Sequence, residues 1–171
     1  MERSVLIIAT ATFDMEMLVS RAFVKDADET FDELPDRPIS QHRNIVTPEG
    51  LAAIEAALTR LRQERAHAQA TNDRASLATL SRELRYWTSR RGTAQVVARP
   101  INPTKVEFGC SISILRADGC EQTYRIVGED EADPARGTIS YVSPVARALL
   151  GKQVGEVVRV GKSDIELVAI V

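Results

Sequence analysis

The side chains with the most direct chemical reach are acids and arginines on leucine-spaced segments. Asp73 stands alone in "QATNDRASLATL", where the leucine rhythm breaks. An acid following Asn72 at such a break either caps a helix or is held out at the tip of an arm as a cation ligand. A hard divalent ion such as Mg²⁺ is held by one or two carboxylates together with other ligands and water. Position 76, one helical turn on, is Ser76, and the nearest acids are the distant Glu64 and Glu83. Spacing alone therefore favours the cap.

A second set consists of Arg60, Arg62, Arg65, Arg74, Arg82, Arg85, Arg90 and Arg91. These guanidinium groups could meet a nucleic-acid backbone or an acidic channel, or form the solvated face of a coiled coil. Arg65, Arg74, Arg82 and Arg85 are the candidates for channel or nucleic-acid contact. Only Tyr86 and Trp87 offer aromatic stacking nearby, so contact without base readout is the expectation. A third set is "GEDEADP" at 128–134, whose acids lack the oxygen spacing and closing Glu of a calcium loop. It reads as a solvated loop. His42 and His67 lack catalytic partners, and no Ser-His-Asp set, phosphate loop or dinucleotide fingerprint is present.

The elements that must carry these residues are legible from local signals. In "TPEG", Thr47 is placed as an N-cap, Pro48 at the first helical position and Glu49 where it suits the helix dipole. Leu51, Ile54, Leu58 and Leu61 then follow coiled-coil spacing, which weakens at Arg65 and Ala68. The rhythm resumes with Leu77, Leu80, Leu84 and Trp87. Two arms around a short turn predict an antiparallel helical hairpin over 47–92. At about 1.5 Å per residue its arms, Pro48 to Ala70 and Arg74 to Arg91, would span roughly 35 Å and 27 Å, with Gly92 ending the second.

From Thr93 the texture changes. "TAQVVA", "CSISIL", "QTYRIVG", "GTISYV", "EVVRV" and "IELVAI" are short β-branched runs separated by Gly, Pro and Asp. One helix interrupts them, with Ser143 as N-cap, Pro144 at N1 and Gly151 closing "VARALL". The prediction is an α+β fold: the hairpin, then a mostly antiparallel β domain over 93–171 with one helix packed on it. Residues 1–46 read as an extended or disordered leader, with Pro35 and Pro38 opposing helix.

Charge and cysteine usage bound the remaining classes. Asp14 to Asp36 carries a local net charge of −6, whereas Thr47 to Gly92 carries +3, so an acidic leader precedes a basic helical segment. Cys110 and Cys120 are the only cysteines and lack metal-ligand spacing. A hairpin turn at Asp118-Gly119 would not set them opposite each other, so reduced thiols in a cytoplasmic protein are expected. No apolar run reaches the roughly 18 to 20 residues of a membrane helix. The start "MERSVLIIATATFDMEM" has a thin basic flank and early acids, unlike a signal peptide.

At "YRIVGEDEAD" and "SPVARALLGK" the chain resembles the C-terminal domain of the Gre transcript cleavage factors. The resemblance extends through "TAQVV" and "EFGCSISIL". At "RPISQHRNIVTPEGL" the lead-in is more like the GreB branch, and in all it covers about residues 19 to 171. It implies an FKBP-like C-terminal domain that docks on RNA polymerase, with the hairpin inserted into the polymerase secondary channel near RNA and DNA. It assigns docking to Ser143 and Pro144, although Val142 replaces the acid that the GreB branch has before this pair. It also makes the protein a cofactor of the polymerase rather than an enzyme, with no cofactor of its own and a monomeric state. "VSRAFVKD" at Val19 resembles a GreB-like start, so residues 1–18 are expected to be an upstream extension.

The resemblance also exposes departures. Family tips read roughly G-D-x-x-E-N-A-E-Y, and the Asp and Glu help hold the second catalytic Mg²⁺ of the polymerase. Here Asp73 remains as the one candidate for that shared ligand, and Ser76, Leu77 and Leu80 replace the rest. The Gly50 to Ala94 span is shorter than its family counterpart by roughly two helical turns per arm, or roughly 10 Å or more of reach. The expectation is a polymerase-binding regulator with weak or no stimulation of cleavage. An active cleavage factor and a shortened Gre-like interaction module of the Rnk type are the alternatives.

Overall fold

The computed structural model describes residues 34–171. The expectations for the upstream extension and for most of the acidic run lie outside the described residues. The first long element is α1, Pro48–Ala70, and the second is α2, Arg74–Thr93. Thr47 caps α1, its side chain accepting from the Gly50 N–H at 2.9 Å, with Pro48 at the first position. α1 and α2 pack side by side along the predicted seam. Ile54 and Leu58 are buried with Val46 against Leu51, Leu84, Trp87 and Ala94. Leu61 and Ala68 continue the buried stripe, while Arg65 between them is exposed.

Asn72 makes the turn in the left-handed region at φ 57°, a conformation that asparagine tolerates better than most residues. The far end differs from expectation. Gly92 lies inside the last turn of α2, which continues to Thr93 before Ala94 leaves in an extended conformation at φ −63°, ψ 125°. A glycine forces no stop where the backbone can stay helical, so the capping signal was misplaced there. The segment before α1 is likewise held. Its last residues form β1, Ile45–Val46, which pairs in parallel with β2, Gln95–Val96. Asn44 is buried and donates from Nδ2 to the Arg90 carbonyl at 2.6 Å.

The sheet domain comprises β3, Ser111–Arg116; β4, Glu121–Val127; β5, Thr138–Ser140; β6, Val157–Val160; and β7, Ser163–Ile170. Its order is β5-β4-β3-β7-β6. Every neighbouring pair is antiparallel except β4 and β5, which run parallel, so the sheet is mixed rather than purely antiparallel. Alternation along the strands sends Ile112, Ile114, Ile165 and Leu167 into the core. The short helix α3, Pro144–Leu149, adds Ala146 and Leu149 to that core. Cys110 is buried, Cys120 is exposed and both are free. The fold is α+β.

Candidate functional site

The tip of the hairpin is built around Asp73. Its carboxylate accepts from the Ser76 N–H at 3.2 Å and from the Ser76 hydroxyl at 2.6 Å. Capping follows from sequence, because an aspartate three residues ahead of a helical N–H meets one of the helix's orphan donors. The Ser76 hydroxyl, and then its N–H, hold the Asp73 carboxyl below its ordinary value. An open groove of about 780 Å³ lies beside the tip, with Glu64, His67, Asp73, Ser76 and Leu80 on its walls. Among the described residues, no group of three His, Cys, Asp or Glu side chains is arranged to hold a metal ion. Asp73 is thus closed on its own helix by Ser76. This donor set does not fit a metal site.

The four candidate contact arginines do not form one face. Arg65 and Arg74 are exposed towards the tip half of the hairpin. Arg82 is partly buried, 3.8 Å from Glu83. Arg85 pairs through Nε with Asp36 at 2.6 Å and also donates to the Leu34 carbonyl at 3.2 Å. The same pre-helical segment places Arg37 on Glu83 at 2.6 Å and over the Tyr86 ring at 3.8 Å. Charges separated by about 50 residues are thereby brought together, and sequence spacing does not reveal such pairing.

Ser143 and Pro144 start α3, as their helix-start signals predict. Ser143 caps α3 by accepting from the Ala146 N–H at 3.2 Å, and Pro144 follows at the first position, exposed. A polar groove of about 460 Å³ runs beside it, lined by Pro144, Arg147, Ala148, Arg159, Val160 and Gly161.

The site that sequence reading missed is the loop taken for a solvated acidic turn. Residues Glu129–Glu131 form a single 3₁₀ turn between β4 and β5. Glu131 accepts from the Thr47 N–H at 2.9 Å, from the Thr47 hydroxyl, and from the Gly128 N–H at 3.2 Å. Asp130 accepts from the Tyr86 hydroxyl at 2.5 Å and pairs with Arg90 Nε at 2.5 Å. The Arg90 side chain is 2% exposed, so a guanidinium assigned to the surface is a buried charge with a dedicated partner. Burial first, and the Asp130 bond second, push the Tyr86 hydroxyl up to about 12. Gly50 and Gly128 were the available signals: a Cβ on Gly50 would fall 2.0 Å from the Glu131 carboxyl carbon, and one on Gly128 2.6 Å from the Ile45 carbonyl. A glycine in the first turn of a helix, where it costs stability, marks a close approach.

Comparison with known proteins decides the family. Residues 101–170 match the family described as the C-terminal region of transcription elongation factor GreA/GreB. Transcription elongation factor GreB of Neisseria meningitidis serogroup A is 31% identical over 155 residues, covering 77% of this chain and 95% of that protein. The chain belongs to the GreA/GreB family of transcription elongation factors. GreA of Hyphomonas neptunium is 56% identical over 54 residues, which cover 31% of this chain and 34% of that protein. The crystal structure of GreA factor homolog 1 of Thermus thermophilus aligns with TM-score 0.37 and 20% identity, over 74% of this chain and 97% of that one. Against GreB, the 155 aligned positions exceed what 77% of 171 residues supplies, so the Gre relative has positions with no counterpart here. No described helix is long and apolar enough to cross a membrane.

Proposed function

We propose that this Gre-family factor binds RNA polymerase as a monomer, directs its hairpin into the secondary channel, and stimulates transcript cleavage weakly or not at all. Docking is assigned to Ser143 and Pro144 at the start of α3, and backbone contact with RNA or DNA to Arg65 and Arg74, which are exposed towards the tip, whereas Arg82 is partly buried beside Glu83 and Arg85 is held by Asp36. The observation that carries the negative half is the tip. Its acid is capped onto Ser76, and Glu64 on the wall of the same groove is paired with Arg60 at 2.9 Å. Metal-assisted hydrolysis needs ligand oxygens within about 2 to 2.6 Å of the ion. A tip with one committed acid, on arms of 23 and 20 residues, supplies no such set. The Gre-like chain then acts by occupying the channel, without a cofactor of its own.

Occupancy without chemistry makes a competitor. Backtracked RNA polymerase complexes treated with a cleavage-competent GreB should lose cleavage in proportion to added amounts of this protein, and excess GreB should restore it. Cleavage that stays constant at every concentration would remove channel occupancy. Absence of co-elution with core RNA polymerase would favour the Rnk-type interaction module instead.

A further inference from the structure

The 129–131 turn touches both arms of the hairpin at their base, through adjacent acids with different targets. Glu131 takes the start of α1, receiving the backbone and hydroxyl of Thr47 in a space that only glycine at position 50 leaves open. Asp130 takes the end of α2, receiving Tyr86 and the buried Arg90, which are one helical turn apart. We propose that Asp130 and Glu131 form a two-point clamp that fixes the direction of the hairpin relative to the sheet domain carrying α3.

Two anchor points on separate helices resist rotation in a way one cannot. With a single anchor the hairpin could pivot about it, while the second converts pivoting into the breaking of a charged hydrogen bond. The surroundings add stiffness on the same side. Asn44 ties the pre-helical segment to the Arg90 carbonyl, and the Tyr141 hydroxyl donates to the Arg43 carbonyl at 2.5 Å. The lever is long: for an arm of 23 residues, about 35 Å, a tilt of about 10° at the base moves the tip by about 6 Å. Aim is therefore decided where the acids sit. The clamp rests on the polymerase reading only for what the hairpin is aimed at; its geometry belongs to the free chain.

The test measures that geometry directly. Cys120 is exposed and Cys110 buried, so a spin label on Cys120 and a second on an introduced Gln69→Cys report the distance from sheet domain to tip. The native chain should give one narrow distance distribution. The paired variant Asp130→Asn with Glu131→Gln should broaden or shift it by about 6 Å or more. Gly50→Ala, which expels the Glu131 carboxylate while leaving both acids in place, should do the same if it folds by circular dichroism. Loss of stability alone would lower the melting temperature without moving the tip in the folded fraction. A distribution as narrow as native in the folded paired variant, or in Gly50→Ala, would overturn the clamp whether or not the protein binds polymerase. If instead the clamp holds while polymerase binding is absent, the functional reading alone fails.

Discussion

The two ends of the hairpin carry acids of opposite character. At the base, Asp130 and Glu131 bind partners 40 and 84 residues away in sequence and help bury an arginine. At the tip, Asp73 binds Ser76, three residues away, in full solvent exposure. The same side-chain chemistry joins two parts of the molecule in one place and finishes a helix in the other. A factor built this way spends its long-range polar contacts on where the hairpin points. Its tip is left without a ligand set.

Breaking the base should be the costliest change. Asp130→Ala leaves Arg90 charged and buried without its partner, a loss of about 3 to 5 kcal/mol that urea unfolding would read. A loss below about 1 kcal/mol would mean that water replaces the carboxylate, and the contrast with the tip would collapse. Ile54→Ala, in the small core under the same joint, should cost about 2 to 5 kcal/mol, towards the lower end where neighbouring side chains relax into the space.

Tyr86 sharpens the contrast through pH. Its hydroxyl value is raised to about 12 in the folded protein from an ordinary 10.0, so the folded state holds this proton more tightly than the unfolded chain. The stabilisation is fully present below about pH 10 and is lost as pH rises towards about 12. Tyr86→Phe should cost about 1 kcal/mol at neutral pH and flatten this part of the alkaline stability curve. An unchanged slope between pH 10 and 12 would detach Tyr86 from Asp130.

The smallest effect belongs to the tip. Hydrogen bonding lowers the Asp73 value from an ordinary 3.8, so its stabilisation is present above that value and fades as pH falls through the lower folded one. Asp73→Ala should reduce helix content at the start of α2, while Asp73→Asn retains most of it because asparagine also caps. Equal losses in both variants, by circular dichroism, would assign the carboxylate more than a capping role.

What could be read from the sequence follows the range of each interaction. The N-caps Thr47, Asp73 and Ser143 act over three residues, and spacing alone placed all three. The strands and α3 were legible through β-branched runs and the Ser-Pro start. The Asp130 and Glu131 contacts were not, because an acidic loop exposed to water and one inserted between helices look alike in one dimension. Arg90 was hidden for the same reason, reading as one more surface charge in a basic run. Gly50 was the overlooked clue, since a glycine inside a helix start needs a reason and the Glu131 carboxylate supplies it. Gly92 was the opposite error: it looked like a stop and lies within the last helical turn.

The most direct measurement is RNA cleavage in backtracked RNA polymerase complexes at saturating protein, with the native chain and with Asp73→Ala. We expect little or no shortened RNA beyond that made by polymerase alone, and no difference between the two proteins. Rapid cleavage by the native chain that falls sharply with Asp73→Ala would show that the single tip acid acts on the polymerase metal, contradicting the reading of Asp73 as a helix cap.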